Sequence, residues 1–235
     1  MLVDTKHRST EIEIMDDLDM SGDLLISSLD QLARINKWLG GNKITIDGLK
    51  TILQNHPKGK TISIVDLGCG NGDLLRKIAD FGRKNGYKFQ LLGIDANQAT
   101  IDYAVQLSEN FSEISYVKED VLSEEFTTHR YDIATCTLFL HHFEDPVALD
   151  FIQTLLQNST IGIVVNDLHR HRLAYYLFKV LSSFISNHMT REDGLTSILK
   201  AFKRKDLERI SQKLNVTSTI TWRWAFRYQW IIRKT

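Results

Sequence analysis

The chain has 235 residues, 43% of them apolar, which suits one elaborated domain or one domain with an appended cap and does not exclude two. Lysine and arginine number 29, as do aspartate and glutamate, so the composition offers no global basic field for nucleic acid and no polybasic tail for a membrane. A small-molecule partner is therefore expected, with no nucleic acid.

Residues 1–56 are predicted to form an N-terminal helical cap or lid. Leucines recur at helical spacing over residues 21–41, with a serine and an aspartate available as N-caps and two glycines to end the helix. A second short helix is predicted over residues 46–54, and the Pro and Gly of HPKGK mark a boundary after it. Three acidic residues ahead of the first helix are expected to lie in a solvated, flexible lead-in: Asp16, Asp17 and Asp19.

Beyond that boundary, short apolar runs alternate with segments of helical periodicity. This alternation predicts crossover units, a parallel sheet and helices on both faces. The last two runs, VTSTITWRW and FRYQWIIRK, have no helix between them and are expected to form an antiparallel pair closing one edge of the sheet. The predicted strands cover residues 61–67, 89–94, 114–117, 131–138 and 161–167.

The stretch DLGCGNG, residues 66–72, lies in the turn between the first of these strands and a helix. Glycines allow the backbone to bend sharply and a ligand to approach closely, while the following helix presents free N–H groups. A dinucleotide fingerprint would require glycine where Asp73 stands. The carboxylate of Asp66 instead favours a ligand that carries an amino group and a sulfonium.

This stretch resembles the first motif of the class I S-adenosylmethionine (SAM)-dependent methyltransferases, and LLGIDAN, VKEDVLS and YDIATCTLFLHHFED resemble the motifs that follow it. The resemblance covers about residues 60–168. It implies a Rossmann-like, doubly wound seven-stranded sheet, mostly parallel with an antiparallel C-terminal strand, over residues 57–235. It also implies SAM as cofactor and S-adenosylhomocysteine (SAH) as product. The implied cofactor-binding residues are Asp66, Gly68, Cys69 and Gly70 in the loop, Asp95 and Ala96 at the ribose, Asp120 and Val121 at the adenine, and Cys136 and Thr137 beside the cofactor.

Several of these residues also have simpler structural explanations. Asp66 would brace the loop, Asp120 would be a polar end to a strand, and Cys69 is better explained as a small packed side chain. Asn36, on the apolar stripe of the first helix, would either bond a nearby backbone group or contact the cofactor from the lid.

The histidines that follow the fourth and fifth strands are the candidate catalytic groups. Methyl transfer from a sulfonium is an in-line displacement that depends mainly on alignment, and a base is needed only where the acceptor must lose a proton. His142 and His169 are the preferred pair, with His141 also facing the substrate; packing or orienting a neighbour is the alternative for each. The histidines and cysteines lack the spacing of a metal site, so no metal is expected.

A helical insertion is predicted at about residues 169–202. The apolar face of this segment is wider than contact with one sheet requires. The additional apolar surface would form a wall for a hydrophobic acceptor, a homodimer interface, or a docking surface for a partner that delivers a carrier-bound substrate. Arg170, Arg172, Arg191 and Asp193 flank this helix and would be its solvated ends; alternatively, Arg170 or Arg172 would attract an acidic substrate group. Lys179 and two serines interrupt the apolar run, which is shorter than the roughly 20 residues that span a bilayer, so no membrane span is expected.

The expected function is SAM-dependent methyl transfer to an oxygen or carbon of a hydrophobic, aromatic small molecule such as a quinone precursor or polyketide. The alternatives are a non-catalytic SAM-binding module that serves a partner enzyme, and an NAD-dependent oxidoreductase. An NPPY-like tetrapeptide, typical of relatives that methylate amides and nucleobases, does not follow the fourth strand. Only two cysteines occur, and no basic leader with an apolar stretch begins the chain, which predicts a cytoplasmic protein.

Overall fold

The computed structural model describes residues 3–234, in which seven strands and eight α-helices alternate along most of the chain. Short 3-10 turns cover Ile14–Asp16, Glu125–Thr128 and Leu140–His142. The helices are α1 Asp23–Trp38, α2 Gly41–Leu53, α3 Asp73–Asn85, α4 Gln98–Leu107, α5 Asp145–Asn158, α6 Arg172–Ser182, α7 His188–Lys200 and α8 Arg204–Lys213. The strands are β1 Thr61–Leu67, β2 Lys88–Asp95, β3 Ile114–Lys118, β4 Tyr131–Thr137, β5 Ser159–Leu168, β6 Ser218–Arg223 and β7 Arg227–Arg233.

The strands form one sheet in the order β3-β2-β1-β4-β5-β7-β6. Neighbours from β3 to β5 are parallel, whereas β7 runs antiparallel to both β5 and β6. The predicted doubly wound, mostly parallel sheet with an antiparallel C-terminal strand is therefore confirmed. The carboxyl ends of β1, β4 and β5 and the amino end of β7 share one edge, where ligands bind in open α/β sheets.

Alternate residues of the central strands face opposite sides of the sheet, so each strand contributes to two cores. Ile64 and its cross-strand neighbours pack under α2 and α3, and Val65 and its neighbours pack under α5 and α8. Each fully buried Leu or Ile in these clusters stabilises the fold by about 2 kcal/mol. Both faces are apolar below the carboxyl edge, which is why the strands read as nearly continuous apolar runs.

The first helix ends where predicted, but the second begins earlier than predicted. Gly40 has φ +73, a conformation that lets the chain turn sharply, so α2 starts at Gly41 instead of residue 46. Gly48 allows α2 to lie directly on β5 and β7, because a Cβ there would overlap Val164. The division into a cap at 1–56 and a domain at 57–235 stays a prediction.

Residues 3–20, here called the strap, run across the carboxyl edge of the sheet and along α7. Ser9 N–H donates to the Leu199 carbonyl, and the carboxylate of Asp193 accepts the N–H groups of Ile14 and Met15. The expectation of a solvated lead-in is wrong for Asp16, whose carboxylate lies 2.6 Å from His142 Nδ1. The partner comes from a distant part of the chain, which local sequence cannot reveal.

The predicted helical insertion consists of α6 and α7. Four apolar side chains of the segment from residue 173 to 184 are more than half exposed: Leu173, Leu177, Val180 and Phe184. Its use by an acceptor, a second copy or a partner stays open. Within residues 3–234, none of the helices combines the length and apolar character needed to traverse a bilayer.

Candidate functional site

The glycine loop joins β1 to α3 and contains three left-handed residues, Gly68, Gly70 and Gly72, with φ of +65, +52 and +74. Any other residue would be strained in these conformations. A Cβ on Gly68 would overlap the ring of Phe139, whereas the nearest atom to a Cβ on Gly70 would be Leu29 Cδ2 at 3.7 Å. The loop is therefore closely packed at its ends and more open in its middle.

Asp66, the last polar residue of β1, is fully buried at the base of this loop. Its Oδ1 accepts a hydrogen bond of 2.7 Å from Thr135 Oγ1, and the side chain is 3% exposed. Burial, together with the charge of Asp95, raises the pKa of Asp66 to about 7 although the Thr135 bond opposes the rise. A cationic ligand would stabilise the ionised form of this carboxyl.

Asp95 ends β2 and braces the loop from the other side. Its two oxygens accept the N–H groups of Gly70 and Asn97, each at 3.1 Å. Burial raises its pKa, while the two backbone bonds oppose the rise. Two carboxyl groups thus converge on one glycine loop, as the sequence indicated.

Asn97 connects this site to the strap and was missed in the sequence. Its side-chain oxygen caps α4 by accepting Thr100 N–H, and its Nδ2 donates to the carbonyls of Leu18 and Met20. An Asn before a helix signals an N-cap. The side-chain amide of Asn97 also holds the strap over the loop. The sequence does not reveal this contact, because Leu18 and Met20 are far from Asn97 along the chain.

The remaining residues predicted at the cofactor occupy varied surroundings, and their roles stay predictions. Cys69 and Val121 are buried, Ala96 is half-buried beside Asp95, and the exposed Asp120 accepts Leu122 N–H. Cys136 lies wholly in the core under α5, so its side chain points away from the Asp66 face. Thr137 Oγ1 lies 2.8 Å from Thr45 Oγ1 of α2.

His141 and His142 follow β4 after Leu138, which has φ +54, a strained conformation of the kind found at functional sites. His142 Nδ1 forms a hydrogen bond of 2.6 Å with Asp16 Oδ1. The other ring nitrogen of His142, Nε2, lies 4.0 Å from Glu13 Oε2. The ring of Phe139 lies 5.9 Å from that of His142. His142 is thereby held between the strap and the glycine loop.

His141 forms a fully buried pair with Asp167. The ring Nδ1 of His141 lies 2.7 Å from Asp167 Oδ1. The backbone N–H of His141 donates to Asp167 Oδ2. Burial alone would lower the pKa of His141, but the charge and hydrogen bond of Asp167 raise it overall. This histidine is held in place by Asp167, and the expectation that it faces the substrate stays a prediction.

His169 lies in a different group of side chains from His142. Its ring is 4.8 Å from Tyr228 and 5.2 Å from His171, and its Nδ1 is buried without a partner among the described residues. Burial lowers the pKa of His169 to about 4, aided by neighbouring positive charges. The contacts of residues 3–234 do not join it to His142, and the predicted catalytic pair stays a prediction.

The prediction of a metal-free site also stays a prediction. Glu13, His141 and His142 bring ligand atoms within 4.8 Å of one another. Lys200 Nζ, however, lies 3.5 Å from Glu13 Oε1, and Asp167 already pairs with His141. A metal ion would have to compete with Lys200 for the carboxylate of Glu13.

Residues 64–162 match the family described as methyltransferase domain. Two curated relatives are ubiquinone biosynthesis O-methyltransferases. The protein of Nitrosospira multiformis is 25% identical over 164 residues, covering 68% of this chain and 65% of the relative, and that of Vibrio cholerae serotype O1 is 28% identical over 124 residues, covering 51% and 47%. The chain thus matches less than two thirds of the length of these relatives.

A solved structure adds a comparison of the fold. The plantazolicin methyltransferase BpumL in complex with SAH is 15% identical and has a TM-score of 0.66, covering 90% of this chain and 94% of that one. At this identity the likeness shows a shared fold. Together with the family match, it confirms the prediction of a class I SAM-dependent methyltransferase domain.

Proposed function

We propose that this protein, whose residues 64–162 match the methyltransferase domain family, transfers the methyl group of SAM to an oxygen or carbon of a hydrophobic, aromatic small molecule. The observation that carries the proposal is the convergence of Asp66 and Asp95 on the glycine loop. A buried and a half-buried carboxyl group beside one glycine loop suit a ligand that bears positive charge. They would repel a pyrophosphate.

The residues present fit the cofactor. Gly70 presents its backbone without a side chain, and Asp66 offers a carboxylate that a cation would ionise. The oxygens of Asp95 accept the N–H groups of Gly70 and Asn97 and keep further lone pairs that would accept from the ribose hydroxyls. SAM, when bound, supplies an electrophilic methyl group on its sulfonium. The strap and Leu29 of α1 lie over the loop and would exclude water from that group.

Apolar and aromatic side chains beside the loop support an aromatic acceptor. Phe139 packs against Gly68, and its ring lies 5.2 Å from that of Phe143. Such rings favour a flat apolar ligand through stacking and edge contacts. The names of the curated relatives, which refer to O-methylation in ubiquinone biosynthesis, support oxygen as the acceptor atom.

His142 is the better placed base for an acceptor that must lose a proton. The carboxylate of Asp16 accepts a hydrogen bond from Nδ1 of His142, which fixes the tautomer with its proton on Nδ1. Nε2 of His142 can then accept a proton from the acceptor molecule. His169, with a pKa of about 4, is neutral at pH 7 but binds a proton too weakly to assist efficiently. In this proposal His142 removes the acceptor proton, and His169 has no part in that step.

Calorimetric titration with SAH and with NAD tests the cofactor. We expect SAH to bind, NAD not to bind, and Asp95→Ala to weaken SAH binding. Incubation of labelled SAM with a panel of catechols and phenols then separates an enzyme from a non-catalytic binding module. Binding of NAD in place of SAH would refute the proposal.

The base is tested by His142→Gln, which should lower kcat strongly on a phenolic acceptor while leaving SAH affinity nearly unchanged. His188→Gln is the matched control, because His188 is exposed and pairs with the exposed Glu192. An unchanged kcat in His142→Gln would exclude it as the base.

A further inference from the structure

The second helix of the insertion, α7, carries a buried polar stripe formed by Asp193, Ser197 and Lys200. These residues follow one another at spacings of four and three positions, so they share one face of the helix, and each is at most 8% exposed. Polar side chains that are buried in this way are normally hydrogen-bonded. The partners of this stripe lie in the strap.

The charged residues that flank the insertion differ in their surroundings. Arg170 is buried, pairs with Asp206 at 3.0 Å and donates to two backbone carbonyls. The expectation that Arg170 attracts a substrate is therefore wrong, because these groups use its donors. Arg172 and Arg191 are exposed, as expected of solvated helix ends, and Arg172 donates to a backbone carbonyl of the strap. Asp193, like Arg170, is not a solvated end, because it is buried against the strap.

Asp193 fixes the backbone of the strap directly before Asp16. The strap has little regular structure of its own here, since the 3-10 turn Ile14–Asp16 is too short to hold a side chain in place by itself. The carboxylate of Asp193 accepts the N–H groups of Ile14 and Met15 at 2.7 and 3.0 Å. Each of its two oxygens takes one N–H, whereas a side-chain amide in its place would offer a single acceptor oxygen.

Ser197 and Lys200 contact the two acids of the strap that lie beside the histidines. Ser197 Oγ lies 2.8 Å from Glu13 Oε2, and Lys200 Nζ lies 3.5 Å from Glu13 Oε1. Lys200 Nζ also lies 3.3 Å from Asp16 Oδ2. The other oxygen of Asp16, Oδ1, bonds Nδ1 of His142. The carboxylate of Asp16 is therefore held by α7 on one side and reaches His142 on the other.

We propose that α7 acts on the reaction indirectly, with Asp193 and Lys200 as positioning residues that hold Asp16 against Nδ1 of His142. The inference rests on the proposed function, because it states how the base of that reaction is oriented. A carboxylate that is itself held in place keeps its partner imidazole in one tautomer and one orientation. The insertion then affects turnover without touching the acceptor.

Proton NMR of the protein with SAH tests the positioning without any acceptor. An imidazole N–H that donates to a carboxylate exchanges slowly with water and gives a signal far downfield. The wild type should show such a signal from His142, identified by its loss in His142→Gln, and another from His141, whose Nδ1 lies 2.7 Å from Asp167. Asp193→Asn should remove the signal of His142 and retain that of His141, because Asp167 belongs to β5 and not to the strap.

Kinetics with labelled SAM provide a second measurement. Asp193→Asn should lower kcat on a phenolic acceptor by about 10- to 100-fold, the range expected for the loss of one hydrogen bond to a charged group. The KM for SAM should stay nearly unchanged, because the cofactor loop is not altered. Glu192→Gln is the matched control: its carboxylate is next to Asp193 on α7 but exposed, and its loss should change neither the NMR signal nor kcat.

The outcomes separate the two proposals. Failure of SAH to bind the wild type would overturn the proposed function. A downfield signal of His142 that persists in Asp193→Asn, or an unchanged kcat in that variant, would overturn the positioning role alone. Should Asp193→Asn not fold, Lys200→Met removes the cation beside Asp16, keeps the apolar stem and should weaken the same signal. A signal unaffected by this substitution would also overturn the positioning role.

Discussion

Replacing Asp66 by Asn should make the protein without ligand more stable while weakening its binding of SAM. The substitution keeps the shape and an oxygen that can accept from Thr135, but it removes a carboxyl that ionises in a buried place. Burial raises the pKa of Asp66 from 3.8 to about 7. Ionisation is therefore much less favourable in the folded chain than in the unfolded one.

The size of the effect follows from this pKa. A group whose pKa is raised on folding contributes stability below its unfolded pKa, and that contribution is lost as the pH rises toward the folded value. Each pH unit corresponds to roughly 1.4 kcal/mol, so the wild type loses about 4 kcal/mol between pH 3.8 and 7 from this group. Between pH 5 and 8 the loss is about 3 kcal/mol, because it ceases above pH 7.

Urea unfolding of both proteins at several pH values between 5 and 8 measures the difference. The free energy of unfolding of Asp66→Asn minus that of the wild type should grow by about 3 kcal/mol over this range. Asp80→Asn, an exposed carboxylate of α3, is the control and should show little pH-dependent difference. A difference that stays constant with pH would show that Asp66 is not buried as an uncompensated acid.

Two further predictions use matched pairs of substitutions. Gly68→Ala should lower the free energy of unfolding by more than Gly86→Ala does, and it should abolish SAH binding. Both glycines have positive φ, so each substitution costs about 1–2 kcal/mol of backbone strain. Of the two, only Gly68 also packs against a ring, that of Phe139. Equal losses in urea unfolding would contradict the packing at Gly68. His141→Ala should cost about 3–5 kcal/mol by leaving Asp167 buried and unpaired, whereas His188→Ala, from an exposed ion pair, should cost less than about 1 kcal/mol. Similar values for the two histidine variants would show that the pair with Asp167 adds nothing.

The strands and the glycine loop were predictable because their signals are local. Branched apolar runs, glycines with a required conformation and acids at strand ends all lie within short windows, and β1 was placed without error at residues 61–67. The antiparallel pair at the C-terminus followed from the lack of a helix between two β-rich runs. Asp66 and Asp95 could be brought together because parallel strands end at one edge.

The strap and the burial of Arg227 and Gln229 under α2 could not be predicted because they depend on distant contacts. Asp16 reads as a solvated acid until the fold brings His142 and Lys200 to it. Arg227 and Gln229 alternate with apolar residues, which in an antiparallel strand normally indicates a face open to water. Only the position of α2 across β5 and β7 shows that this face is covered.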